Sequence, residues 1–314
     1  MTDNLALVIT FVFLSALIVA ANLTVCVIVY LRKSMRTYTN GFVVSLAFSD
    51  LLIGSVLIPA ALVSPHSVEM GYLISITLLS GVFNLVSVTF DRYVSVLKAL
   101  QYENIMRSAF KGILVASWLF SFIISLIPLI WGTNTTVLAH KIYVVSEIGL
   151  CVLLPYVFIF VGYVRIFTQV KRSVERERAI TASVRKNLQR KSKISSEGKL
   201  AQVFIIVAVM FVVSWLPIQY MTVVHEIGRP ELIPNDLEIV SLFTIALGSL
   251  INPLVYSFLK PDFRKAIRHV LNYRRDLRRG RLRGSLSTPA SCKSQTTNSS
   301  CKSRLSQKND TTFV

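Results

Sequence analysis

Five polar side chains interrupt long uncharged stretches of this sequence, and their types and placement make them the first candidates for chemistry. They are Asn22, Asp50, Asn84, Gln219 and Asn252. An Asp in the middle of a hydrophobic helix costs about 2.5–3.5 kcal/mol to bury, so each such group needs a partner or a use. Asp50 is the extreme case, because a lone carboxylate there is either protonated or paired with amides, hydroxyls, water or a cation. Asn22, Ser249 and Asn252 are its candidate partners. Two readings stand: a neutral Asp50 that fixes helix packing by hydrogen bonds, or a hydrated polar network that rearranges. Other chemistry is missing from the pattern. No His/Cys/Asp group has metal-ligand spacing and no glycine-rich phosphate loop occurs, which argues against an enzyme.

The elements that position these groups follow from hydropathy. Of 314 residues 53% are apolar and 16% charged, below the roughly 25% charged residues of soluble domains. A bilayer-crossing helix needs about 20 mostly apolar residues. Seven runs qualify: Asn4–Tyr30, Thr39–Val63, Met70–Phe90, Gly112–Trp131, Ile148–Val164, Leu200–Val224 and Ile239–Leu259. Only the second carries a charge, Asp50. The expected fold is therefore all-α, a seven-transmembrane helix bundle, with the first run acting as its own retained signal. Three prolines, Pro155, Pro217 and Pro253, interrupt spans and free backbone carbonyls there.

Orientation comes from Lys and Arg. Alternate loops hold three, four, eleven and fourteen of them, whereas the opposite side holds two, Lys141 and Arg229. By the positive-inside rule the amino terminus is extracellular and the carboxyl terminus cytoplasmic. The net charge of +18 meets lipid headgroups or a cytosolic partner; nucleic acid is excluded, since the basic residues alternate with spans. After span seven, residues 260–271 form a short amphipathic helix with Phe263, Ile267, Val270 and Leu271 on one stripe. The domain expected is 1–271, followed by a basic, Ser/Thr-rich disordered tail, 272–314. Cys26 and Cys151 fall in spans and Cys292 and Cys301 in the tail, so no disulfide is expected.

Three segments now stand out together: Asp91-Arg92-Tyr93 closing span three, Trp215-Leu216-Pro217 in span six, and Asn252-Pro253-Leu254-Val255-Tyr256 closing span seven. With Asn22, Leu46-Ala47-Phe48-Ser49-Asp50, Trp118, Pro155 and Tyr163 at matching places, the chain resembles the rhodopsin-like (class A) G-protein-coupled receptors over all seven spans. The resemblance implies a receptor that passes an extracellular ligand signal to heterotrimeric G proteins by outward movement of helix six. It implies that Arg92 is held by Asp91 and by an acid at the inner end of helix six. Glu197 fits, lying 18 residues before Trp215, about 27 Å of helix; the alternative is a solvated loop charge. Tyr163 and Tyr256 then support the freed Arg92. Pro155, Val82 and Phe211, beneath Trp215, match the family's packing triad, which with Pro217 transmits motion.

The resemblance also implies an allosteric sodium ion at Asp50, Ser249 and Asn252, although Gly81 and Gly248 stand where Ser and Asn are usual. Apart from that ion no cofactor is implied; arrestin is an implied partner. The family's outer disulfide lacks both cysteines, with Ser67 at one position and none between Trp131 and Ser146. In this the chain is similar to the melanocortin and related lipid-receptor branch, while Pro155 departs from the melanocortin pattern and adenosine receptors, on the same branch, keep their outer disulfides.

Ile74 replaces the aspartate of amine receptors and Ala246 the lysine of opsins. The outer side instead carries Glu69, Glu147, Glu226, Glu231, Asp236 and Glu238, an acidic vestibule that favours a cation. The candidate ligand site is Glu147 with Glu238, over Ile74, Leu78, Trp215, Ile218, Gln219, Thr222 and Leu242; the alternative has Glu147 at the headgroup boundary, paired with Lys141 or His140. Asn134-Thr135-Thr136 is an outer-loop glycosylation sequon. Thr312-Phe313-Val314 resembles a PDZ-domain ligand. A plasma-membrane receptor is the reading adopted; the rivals are a transporter or channel, for which no internal repeat is found, and a ligand-independent receptor-like scaffold.

Overall fold

The computed structural model describes residues 5–65, 67–132, 138–181, 188–259 and 263–266. Among them are seven helices long and apolar enough to cross a membrane and no strand. We label these α1 (Leu5–Leu31), α2 (Tyr38–Val63), α3 (Val68–Leu97), α4 (Tyr102–Ile130), α5 (Leu138–Ser173), α6 (Ile205–Glu226) and α7 (Leu237–Val255). The chain is a multi-pass membrane protein. Its backbone polar groups satisfy one another within each helix, as the absence of water in hydrocarbon demands.

Hydroxyl residues set two of the starts. Thr37 precedes α2 and its side chain accepts from the Asn40 amide, and Ser67 does the same for Met70 at the start of α3. Ser67, expected only as a missing cysteine, is thus a helix cap. Helix α5 begins ten residues before the apolar run Ile148–Val164, because His140, Lys141, Tyr143 and Glu147 dilute its hydropathy without breaking the helix. Helical backbone runs on from α5 to Thr181, and α6 is the end of a helix that starts at Leu188.

Two stretches are wound as π-helix, Ile53–Leu57 in α2 and Glu147–Leu153 in α5. Such widened turns redirect the side chains that follow. The first precedes Pro59, and Ser15 of α1 donates to the carbonyl of Gly54 within it. The second carries Glu147.

Helix α3 is the central element, packing against α2, α4, α5 and α6, while α1 packs on both α2 and α7 and closes the ring. About 61% of its apolar window is buried, against 17% for α5. The core therefore centres on α3, with Leu78, Leu79, Val82, Leu85 and Val88 buried beside Phe42, Leu46, Phe211 and Trp215. Trp118 of α4 donates from its indole to the Ser45 hydroxyl of α2 at 2.9 Å.

At Pro217 the helix α6 lacks a backbone donor, and a neighbour fastens it there. Thr244 of α7 donates to the carbonyl of Ser214 at 2.9 Å. Of the expected amphipathic helix, 263–266 is helical with Phe263 and Ala266 buried. The rest of 260–271, Asn134 and the tail with Thr312, Phe313 and Val314 lie outside the described residues.

Candidate functional site

Helix α3 carries polar groups at both ends. At one end Asp91 and Arg92 are almost free of solvent, with side chains 0% and 6% exposed. The guanidinium bonds Asp91 Oδ2 through Nη2 at 2.6 Å and Nε at 2.9 Å, and its Nη2 also donates to Thr39. Thr39 Oγ1 donates in turn to the same carboxylate oxygen at 2.8 Å, and Tyr102 donates to Asp91 Oδ1 at 2.7 Å. A charge pair this deep is tolerable only with its remaining lone pairs satisfied. Thr39 and Tyr102 do that, and neither stands out in the sequence. Tyr93 is half-buried against the core. The side chains of Glu197 and Tyr256 lie outside the described residues. The Tyr163 hydroxyl is buried with no hydrogen-bond partner among those described.

In the middle of the bundle Val82, Phe211 and Trp215 are buried in one cluster, with the Phe211 and Trp215 ring centroids 5.9 Å apart. Pro155 is half-buried at the start of the regular helix that follows the π-helical turn, and Pro217 is half-buried in α6. Asp50 is fully enclosed, and Asn252 donates to its Oδ2 at 2.8 Å. Asn22, a candidate partner of Asp50, instead donates to the carbonyls of Ile18 and Ser249 at 3.1 and 3.2 Å. Asn84 donates to Ser80, leaving its side-chain oxygen unpaired.

At the other end lie two adjoining cavities of about 480 and 440 Å³. The first is lined by Ile74, Ser75, Leu78, Glu147, Ile218, Gln219 and Thr222 among others, the second by Glu238, Leu242 and Ile245. Gly71, Ile74, Ile218, Thr222, His225 and Glu226 belong to both walls. Six of the eight sequence-expected ligand residues border the first cavity, three of them both, and the other two, Glu238 and Leu242, border the second. Trp215 lies beneath, in the core.

Glu147 is half-buried and lines the first cavity. Ser75 donates to its Oε1 at 2.5 Å, and the Ser75 and Ser125 hydroxyls are 2.8 Å apart. Its expected alternative partners are engaged elsewhere or exposed. His140 lies 3.6 Å from Glu226 and accepts the Trp131 indole N–H on Nδ1 at 3.1 Å, while Lys141 is exposed. No Lys or Arg lines either cavity among the described residues. Arg229 pairs with Glu231 on an exposed surface, 3.9 Å apart. No described cluster of three His, Cys, Asp or Glu could hold a metal.

The arrangement is thus a bundle with a wet acidic cavity at one end and an enclosed guanidinium at the other. A model of the family described as "7 transmembrane receptor (rhodopsin family)" matches residues 21–256. The chain belongs to that family. This receptor is 24% identical over 301 residues to adenosine receptor A2b of Gallus gallus, covering 82% of this chain and 86% of the relative. It is 23% identical to adenosine receptor A2a of Homo sapiens, covering 82% and 70%. It is 27% identical to a GQ-coupled rhodopsin of Mizuhopecten yessoensis, covering 79% and 56%.

The receptor's residues around Asp50 do not fit a coordinated sodium ion. A hard cation takes a shell of several oxygens. Here Asn252 presents its amide nitrogen to Asp50, the Ser249 side chain also bonds that carboxylate, and the Ser249 carbonyl is used by Asn22. Gly81 and Gly248 add no oxygen, and the space beside them is filled. A Cβ on Gly81 would lie 2.5 Å from the Phe211 ring, and one on Gly248 would meet the Ser214 hydroxyl.

Proposed function

We propose that this G-protein-coupled receptor sits in the plasma membrane with the Glu147 end outside and the Arg92 end in the cytoplasm. The one-sided distribution of Lys and Arg supports that orientation. A cationic ligand enters the acidic cavity and is held by Glu147. The core of Val82, Phe211 and Trp215, with Pro155 and Pro217, repacks between discrete arrangements, because close-packed cores are bistable rather than continuously deformable. Helix six then moves outward from Arg92, Glu197 releases it, and Tyr163 and Tyr256 turn in beside it. The exposed guanidinium receives a heterotrimeric G protein. Arrestin takes the same opening, Thr312, Phe313 and Val314 bind a PDZ domain, and Asn134 carries a glycan.

One observation carries this reading: α3 runs from the cavity to the switch, with α2 and α4 bordering both ends beside it. Ser75, bonded to Glu147, and Arg92, bonded to Asp91, are 17 residues apart on that helix, about 25 Å. A change at one end has a rigid route to the other.

The test expresses the receptor with a G-protein dissociation sensor and screens cationic amines, guanidines, basic peptides and, given the relatives' names, adenosine. A cationic agonist whose response vanishes in Arg92→Ala and weakens in Glu147→Gln supports the proposal. Responses only to uncharged or anionic compounds would overturn the ligand class, and equal responses in wild type and Arg92→Ala would overturn the coupling.

A further inference from the structure

The cavity system has two acidic ends, and only one of them is explained by a single cationic group. Resting on the cationic-ligand reading above, we infer that the ligand is an elongated dication, with a guanidinium or amidinium head at Glu147 and Gln219 and a second cation at Glu238.

The head group follows from what the first chamber lacks. Glu147 is half-buried there, bonded to the Ser75 hydroxyl, with no Lys or Arg beside it among the described residues. Gln219 lines the same chamber, and its side-chain oxygen is buried without a hydrogen-bond partner. A buried carbonyl oxygen left unpaired is costly and rare. The Tyr143 hydroxyl on the same wall is also buried without a hydrogen-bond partner and can donate or accept; Glu147 and Gln219 are acceptors, which a cation with several N–H donors complements. A planar guanidinium presents five in a fixed fork, and can serve a carboxylate and an amide oxygen together. An alkylammonium satisfies them less completely.

The second end follows from the shape. The chambers share a wall at Gly71, Ile74, Ile218, Thr222, His225 and Glu226, apolar along Ile74 and Ile218. Beyond it Glu238 sits at the rim of a chamber otherwise bounded by Leu57, Leu242 and Ile245. Glu226, on the shared wall, has His140 Nε2 3.6 Å from its carboxylate. Glu147 and Glu238 are the acids that border one chamber each, and a spacer along Ile74 and Ile218 joins the two cations they would bind.

The experiment uses purified full-length receptor in lipid nanodiscs and reads the thermal stabilisation that ligand binding confers. The probes are α,ω-diguanidinoalkanes of increasing spacer length, the matching mono-alkylguanidines, α,ω-diaminoalkanes and neutral alkylureas. We expect affinity to pass through an optimum with spacer length, the best diguanidine binding about tenfold or more tightly than its monoguanidine. Glu238→Gln should reduce that diguanidine to the monoguanidine's affinity and leave the monoguanidine unchanged. Gln219→Leu should weaken guanidines but not diamines. If diguanidines and monoguanidines bind alike at every length and ignore Glu238→Gln, the two-headed ligand is wrong while the cationic site stands. If neither binds better than the ureas, the cationic site fails as well. The length series needs no variant, so misfolding of a mutant cannot leave the matter open.

Discussion

Arg92 is bonded to Asp91, its own neighbour in the chain, and the two share Thr39 as a common partner. The pair is thus closed on itself inside the bundle. Tyr102 completes the shell from the opposite side by donating to the free oxygen of Asp91. Nothing in that arrangement presents the guanidinium to the cytoplasm, so a coupled state must first break it.

Loosening the shell should therefore raise basal signalling. Removing the Tyr102 hydroxyl leaves an enclosed carboxylate oxygen unsatisfied, a cost of about 1–3 kcal/mol to the closed state. With Tyr102→Phe we expect agonist-free G-protein dissociation to rise about fivefold or more. Thr39→Ala should act in the same direction. An unchanged basal signal at equal surface expression would contradict this account.

Glu147 and Ser75 should differ in their effect on a cationic agonist. Glu147→Gln removes the charge that the ligand meets, and potency should fall about tenfold or more. Ser75→Ala removes one donor to that carboxylate and leaves the charge, so a dose–response curve should shift by less. Equal shifts would mean that the carboxylate acts only through its hydroxyl partner.

Gly81 and Phe211 form a tight contact that tolerates no added carbon. Gly81→Ala places a methyl 2.5 Å from the ring and should destabilise the receptor by about 1–3 kcal/mol. Thermal unfolding in detergent reads this as a lowered midpoint. The double variant Gly81→Ala with Phe211→Leu should recover part of the loss; a midpoint that falls further would show the two sites to be independent.

Exchanging sodium for N-methylglucamine at constant ionic strength should leave agonist potency within about twofold, a few tenths of a kcal/mol. The same exchange in Asp50→Asn should look alike. A sodium-dependent potency in the wild type that disappears in the variant would mean that Phe211 and Ser214 yield to an ion.

The spans and the isolated Asp50 were legible in the sequence because apolar runs and a charge inside one are strong, local signals; Asn252 was one of three candidate partners, and the Asp91–Arg92 pair came from the family resemblance. The hydroxyl partners were not legible. Ser and Thr in a helix ordinarily bond a carbonyl one turn earlier, as Thr24 and Thr168 do here. Nothing local separates them from Thr39 or Ser75, whose roles depend on which helix faces them. The setting of Glu147 was equally hidden, since the polar residues before it blurred the start of α5 and its π-helical winding has no sequence mark. Glu238 and Leu242 were expected at the ligand site; that they line a second chamber depends on how Ile74 and Ile218 lie between the two, which no local pattern shows.

The bond from Thr244 to the Ser214 carbonyl gives α6 a fulcrum. Below it, the segment from Ile205 to Ser214 is a lever about 13 Å long, so a tilt of roughly 10° at the proline carries its far tip sideways by about 2 Å. The upper arm, from Pro217 to Glu226, borders both chambers. Measured from Ser214 that arm is about 18 Å long, so a sideways push of an ångström or two on it is returned at comparable size at the Ile205 tip, with α7 as the post on which the beam turns.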